Sequence, residues 1–166
     1  FHEYYASTEG GGVSLLRPED FALHPDSVGR PVFGVDVRIF DDAMAPLPAG
    51  EVGRLGYRGP GVASGFYDDP EAGADAFRDG WFFPGDLAAM NDAGYVFLRG
   101  RAKDMIIRGG INIYPAEIEA VLQSHPMVRE SAVVGWPSRV MGEEVAAFVG
   151  KVLDVTESRV SQLHAQ

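Results

Sequence analysis

Gly100-Arg101-Ala102-Lys103-Asp104-Met105-Ile106-Ile107-Arg108-Gly109-Gly110-Ile111-Asn112-Ile113-Tyr114-Pro115-Ala116-Glu117-Ile118-Glu119 is the stretch that decides how this chain is read. Its apolar run, Met105 to Ile107, predicts a strand, Gly109-Gly110 a tight turn, and Ile111 to Tyr114 an extended segment. A helix is then expected to open on Pro115, with Glu117 and Glu119 placed to complement the positive end of its dipole. Tandem glycines accept positive φ and let another group approach the backbone closely, while Arg101, Lys103 and Arg108 bring positive charge to the same neighbourhood. Composition alone describes this as a basic hairpin followed by a helix.

Upstream, the pattern from about Val32 to Arg99 is one of short strands divided by turn residues. Val35 to Ile39 alternates with period two, Met44 to Gly50 reads as a turn, and Val52 to Arg58 resumes as a strand, so a hairpin is expected. Asn91-Asp92 marks a further turn before a strand at Gly94 to Leu98, and the domain boundary is expected to follow it. Downstream, Ile118, Val121 and Leu122 lie on one helical face, and His125-Pro126 is expected to end that helix. Strands are predicted at Ser131 to Val134 and Glu144 to Val149, and a last helix capped by Thr156 with Val160 and Leu163 on its apolar stripe. The fold class is therefore α+β, with a sheet-rich part over residues 1–100 and a small mixed α/β part over 101–166.

The 166 residues are 46% hydrophobic and 11% aromatic, enough for one domain or two small ones and unlike a disordered chain. A net charge of -10 opposes binding to nucleic acid or to an anionic membrane surface. The charge is uneven: residues 1–100 hold 16 acidic and 7 basic side chains, and residues 101–166 hold 8 and 7, so the second part is nearly neutral. With no cysteine, disulfides, thiolate metal sites and a cysteine nucleophile are excluded together, and a cytoplasmic setting is expected. No run approaches the length of a membrane span, and no signal-peptide pattern opens the chain. His2-Glu3 lacks the second histidine of a zinc-protease helix, the four histidines have no ligand spacing, and neither a Rossmann glycine pattern nor a phosphate-binding P-loop occurs.

Two further segments matter, Tyr5-Ala6-Ser7-Thr8-Glu9 and Gly80-Trp81-Phe82-Phe83-Pro84-Gly85-Asp86-Leu87. Thr8-Glu9 before Gly10-Gly11-Gly12 places a hydroxyl and a carboxylate at the mouth of a turn, a pair suited to a phosphate and a hard cation such as Mg2+. Asp86 offers a carboxylate that can accept from vicinal hydroxyls, although spacing alone equally describes a turn aspartate.

Together with the stretch from Gly100 to Glu119, and in this order, these segments resemble the motifs of the adenylate-forming superfamily, which includes acyl-CoA synthetases, luciferases and peptide-synthetase adenylation domains. The resemblance implies that residues 1–100 form the distal, β-rich part of a large N-terminal AMP-binding domain, and that residues 101–166 begin a mobile C-terminal domain, truncated here. It implies an acyl-CoA synthetase that uses ATP to activate a carboxylic acid, fatty or aryl, and passes the acyl group to CoA. It assigns the nucleotide to Tyr5, Thr8, Asp86 and Arg101, with Thr8, Glu9 and Arg101 as catalytic residues. Mg2+ falls to Glu9, the hinge to Lys103, and the pantetheine channel of CoA to Gly109 and Gly110. Ala6 stands where the family usually has glycine, Pro84 where Thr or Ser is usual, and Lys103 where many members have Asp. The glycines after Glu9 are expected to border a roomy acyl pocket. Asn112 to Pro115 favours CoA as acceptor, while loading of a carrier protein and an inert interaction fragment stay open as alternatives. Because the family's glycine-rich phosphate loop and distal lysine are not in this sequence, the chain alone is expected to lack adenylation activity and to self-associate.

Overall fold

The computed structural model describes residues 1–151 and divides into two compact units, Phe1–Lys103 and Asp104 onward. The division falls within a short 3-10 turn, Ala102–Asp104, in the basic segment. The helix expected from Thr156 lies outside the described residues.

The first unit opens with an antiparallel hairpin, β1 (Glu3–Ser7) and β2 (Gly11–Leu16), extended by the two-residue β3 (Arg30–Pro31). Sequence pattern alone did not reveal this hairpin, because Gly10-Gly11-Gly12 reads as open turn. Two of those glycines are sites of close packing. A Cβ on Gly10 would lie 2.2 Å from the Tyr57 ring and hydroxyl, and one on Gly12 would lie 1.5 Å from the Tyr4 hydroxyl. Tyrosine side chains fill the space that these two glycines leave.

The second sheet holds β4 (Asp36–Phe40), β5 (Gly53–Arg58), β6 (Phe77–Arg78), β7 (Trp81–Phe82), β8 (Asp86–Met90) and β9 (Val96–Arg101). Its main path runs β6-β7-β5-β8-β9, with β4 also paired to β5. The β4–β5 pairing is the expected hairpin, in unbroken antiparallel register from Asp36↔Arg58 to Phe40↔Arg54. β9 starts at Val96, two residues later than its pattern indicated, because the Asn91 side chain accepts from the Tyr95 amide at 2.9 Å and prolongs the turn. A short helix, α1 (Pro70–Ala76), lies within the region expected to be strands and turns: Asp69 accepts from the Ala72 amide at 3.0 Å and Pro70 opens the first turn.

Val13, Val28, Val37, Ile39, Leu55, Tyr57, Phe82, Ala88 and Val96 form one continuous core cluster. Phe40, Trp81 and Phe83 form a second, aromatic cluster. Full burial of a side chain such as Leu55 or Phe82 contributes about 1.5–3 kcal/mol before entropy is counted.

In the second unit, β10 (Ile106–Arg108), β11 (Ile111–Ile113), β12 (Val128–Ser138) and β13 (Gly142–Lys151) order as β11-β10-β13-β12. The tandem-glycine turn joins β10 to β11, as expected, and α2 (Pro115–Gln123) packs on β12. Val121 is 71% exposed, so the stripe turned inward narrows to the half-buried Ile118 and Leu122, and the helix stops two residues before His125. β12 and β13 are longer than their apolar patterns. Pro137, which reads as a strand breaker, is tolerated because β12 is the edge of its sheet and loses no ladder partner on its open side. Ile106 and Val133 are the buried residues of this unit among those described.

Candidate functional site

Burial alternates along β1, so Tyr5 and Ser7 are half-buried while Tyr4 and Ala6 are exposed. A register shift between Tyr5 and Ala6 leaves Val13 as the extra residue of β2, a bulge of the kind that re-aims side chains beside binding sites. Tyr5 is thereby brought to the start of β8, where its hydroxyl donates to Asp86 Oδ2 at 2.5 Å.

Asp86 pairs directly with Arg101 across the β8–β9 ladder. Arg101 Nε lies 3.3 Å from Asp86 Oδ1, and Arg101 Nη2 donates to the Pro84 carbonyl at 2.7 Å. The Ala102 amide donates to the Gly85 carbonyl at 2.9 Å and closes the same turn. The Arg101 side chain is 52% exposed, so its ion pair adds little stability, and its geometric effect is to orient the carboxylate. Asp86 thus accepts one hydrogen bond, from Tyr5, and faces the Arg101 guanidinium as an ion pair, and an ionised carboxylate with roughly four lone-pair positions has capacity for a ligand's hydroxyls as well. A cavity of about 250 Å³ opens here, lined by Arg54, Leu55, Asp75, Phe83, Gly85, Asp86 and Ala102. A larger cleft of about 700 Å³, whose walls include Arg17, Asp20, Arg30 and Tyr95, contains none of the residues singled out in the sequence.

Thr8, Glu9 and Gly10 make the turn between β1 and β2, with Thr8 exposed and Glu9 half-buried. The Gly10 amide donates to Ser7 Oγ at 2.9 Å, and the Ala63 amide donates to the Glu9 carbonyl at 2.7 Å. Ser7 Oγ shares a hydrogen bond of 2.8 Å with the hydroxyl of Tyr57, which is fully buried. Burial pushes both tyrosines above the usual phenol range. For Tyr5 the hydrogen bond to Asp86 and that residue's charge add to burial, and Arg101 opposes them. For Tyr57 the charges of Glu9 and Asp86 reinforce burial, and the Ser7 hydrogen bond works against it. Both phenols therefore stay protonated at neutral pH.

The first unit thus draws together Tyr5, Asp86 and Arg101, and sets Thr8 and Glu9 on a turn linked to Tyr57 through Ser7. Tyr57 escaped sequence reading because period-two burial marks it only as an inward strand residue. Lys103 is exposed at the division between the units. In the second unit Gly109 and Gly110 lie exposed at the β10–β11 turn with φ of 57° and 84°. The Gly109 amide donates to the Met141 carbonyl at 2.8 Å, and Arg108 Nε donates to Glu144 Oε2 at 2.6 Å.

Among the described residues no group of three or more His, Cys, Asp or Glu side chains converges as a metal cage, and no helix is long and apolar enough to cross a membrane. Mg2+ does not need such a cage, since it is commonly held by one or two carboxylates with substrate phosphates and waters. Glu9, placed on a turn beside the Thr8 hydroxyl, fits that donor set.

Residues 1–67 match the family model for AMP-binding enzyme, and residues 117–164 that for the AMP-binding enzyme C-terminal domain. The chain is 42% identical over 149 residues to a long-chain-fatty-acid–CoA ligase of Yersinia pestis, an alignment covering 90% of this chain and 26% of that protein. Among solved structures it is similar to the o-succinylbenzoate CoA synthetase of Bacillus subtilis in complex with its acyl-adenylate intermediate, with TM-score 0.86, 30% identity, and 99% and 34% of the two chains covered. It is also similar to the amide bond synthetase McbA of Marinactinospora thermotolerans, with TM-score 0.84, 36% identity, and 98% and 34% covered. The chain spans about a quarter to a third of the length of these relatives. Because both family models match in chain order, and the aligned relatives cover nearly all of the sequence, the chain belongs to the AMP-binding enzyme family.

Proposed function

We propose that this chain carries the ribose-binding and metal-binding residues, and the hinge, of an acyl-CoA synthetase that joins a carboxylic acid to CoA through an acyl-adenylate. The observation that carries this reading is the Asp86 carboxylate, oriented by Tyr5 and Arg101 and with acceptor capacity to spare. Asp86 accepts from the vicinal ribose hydroxyls, Arg101 keeps positive charge beside the nucleotide, and Thr8 donates to its phosphate. Glu9 and the substrate phosphates hold Mg2+, which when bound neutralises charge developing on the phosphates.

In the first half-reaction a carboxylate oxygen of the acid attacks the α-phosphorus of ATP, the bond to the bridging oxygen breaks, and pyrophosphate leaves. Catalysis by this chain's residues is positioning and charge neutralisation. In the second, the CoA thiol loses its proton and attacks the acyl carbonyl, and AMP leaves with the bonding pair. Gly109 and Gly110 give the pantetheine arm a side-chain-free turn to pass, and Lys103 is the residue about which the two states interchange.

Similarity to an amide bond synthetase supports a second reading, in which an amine takes the acyl group. The test uses the full-length protein carrying this chain. Acid-dependent exchange of pyrophosphate into ATP is expected with a fatty or an aryl acid. Product formation is then compared with CoA, an amine or a carrier protein as acceptor. Exchange without a CoA product moves the acceptor to whichever partner yields one, and the lack of exchange with any acid overturns adenylation.

A further inference from the structure

We infer that Tyr57 is a positioning residue for the Thr8–Glu9 turn, which it holds in place through Ser7. The inference rests on the adenylating reading for its consequence, and on the geometry of the first unit for its substance.

Tyr57 is 0% exposed, and its ring packs edge-to-face on Phe82, its partner across the β5–β7 ladder, with centroids 5.4 Å apart. That anchors the ring in the main core cluster. Its hydroxyl end meets the turn in two independent ways. It shares a 2.8 Å hydrogen bond with Ser7 Oγ, which in turn accepts from the Gly10 amide at 2.9 Å. The ring and hydroxyl also lie so close beneath Gly10 that a Cβ there would sit 2.2 Å away. Ser7 and Gly10 are the residues on either side of Thr8 and Glu9, so the phenol grips both ends of the segment that carries the phosphate and metal ligands. The Ala63 amide restrains the same segment through the Glu9 carbonyl.

Phenylalanine would fill the same volume in the core. A buried hydroxyl costs free energy unless it is bonded, and the bond made here is to Ser7. Strand pairing does not need that hydroxyl, whereas the turn does. Burial keeps the phenol protonated, so the contact persists across the working pH range.

The test compares Tyr57→Phe, Ser7→Ala and the double variant in the full-length protein carrying this chain. Hydrogen–deuterium exchange is followed in peptides covering residues 4–13 and 53–58. In Tyr57→Phe the turn peptide is expected to exchange roughly two- to tenfold faster, while the strand peptide is unchanged. The Mg2+ concentration giving half-maximal pyrophosphate exchange is expected to rise by a similar factor, and acyl transfer from preformed acyl-adenylate to hold. The double variant is expected to be no worse than the more affected single variant, because the Tyr57–Ser7 bond is already lost in either one. Unchanged exchange of the turn peptide in Tyr57→Phe, equal loss in both half-reactions, or additive losses would each overturn the role. If Tyr57→Phe loses its fold, unchanged exchange of the turn peptide in Ser7→Ala, which removes the Tyr57 and Gly10 bonds together, overturns the role, and slower exchange of that peptide in wild type than in Ser7→Ala supports it. A wild-type protein that catalyses no pyrophosphate exchange, but whose turn loosens in Tyr57→Phe, overturns the adenylating reading and leaves the positioning role standing.

Discussion

Asp86 carries the most chemical information of any single residue, because its surroundings separate it from an ordinary turn aspartate. One oxygen takes the Tyr5 hydroxyl and the other faces the Arg101 guanidinium, so the carboxylate is oriented before any ligand arrives. Asp86→Asn keeps the shape but replaces one acceptor oxygen with a donor and removes the charge. In the full-length protein, loss of charged hydrogen bonds worth roughly 1.5–3 kcal/mol predicts a ten- to hundredfold fall in kcat/KM for ATP. Pyrophosphate release measured against ATP concentration checks this, and unchanged kinetics would remove Asp86 from the ribose site. Tyr5 supports a second prediction. Its phenol is raised above the ordinary value of 10.0, so in alkali the folded state retains a proton that the unfolded state has lost. Stability from this group is therefore complete below pH 10 and declines as pH rises towards the folded value. Tyr5→Phe is expected to flatten the alkaline loss of stability above pH 10, read by denaturant unfolding at stepped pH. An unchanged slope would mean that the group ionises at its ordinary pH.

The β10–β11 hairpin shows how an element can be readable while its surroundings are not. Strand, tandem-glycine turn and proline-opened helix appear in the structure in the order the sequence indicates, because each signal is local. Gly109 differs from Gly110 only in tertiary context: a Cβ on Gly109 would come within 2.6 Å of the Met141 side chain, and one on Gly110 would meet nothing within 4 Å. Gly110 is therefore the cleaner position to test, although its φ of 84° makes any side chain there strained by about 1 kcal/mol or more. Gly110→Leu is expected to slow acyl transfer to CoA at least tenfold while sparing pyrophosphate exchange, since only the thiol step needs a clear turn. Isotope exchange reports the first step, and acyl-CoA appearance from preformed acyl-adenylate the second. Equal loss in both would point to a damaged second unit.

At the scale of the molecule, each unit presents large apolar side chains to solvent, among them Phe33, Tyr67 and Leu23 in the first and Val140 and Val121 in the second. Exposed apolar surface of this kind favours association, so the chain on its own is expected to self-associate in light scattering as its concentration rises. A monodisperse monomer at the highest soluble concentration would contradict that. What could be read from the sequence depended on range. Motif order, the β4–β5 hairpin, the proline-opened helix and the chemical types of Glu9, Asp86 and Arg101 rest on neighbours a few residues apart, so residue identity and spacing were sufficient. Tertiary structure alone decided that β1 and β2 pair, that Gly10 and Gly12 accommodate tyrosine side chains, and that β12, as an edge strand, tolerates Pro137. It alone placed Tyr5 against Asp86, 81 residues away, and Tyr57 beneath Ser7, 50 residues away. Contacts at such separations come from strand register and shared burial, and no local pattern encodes them.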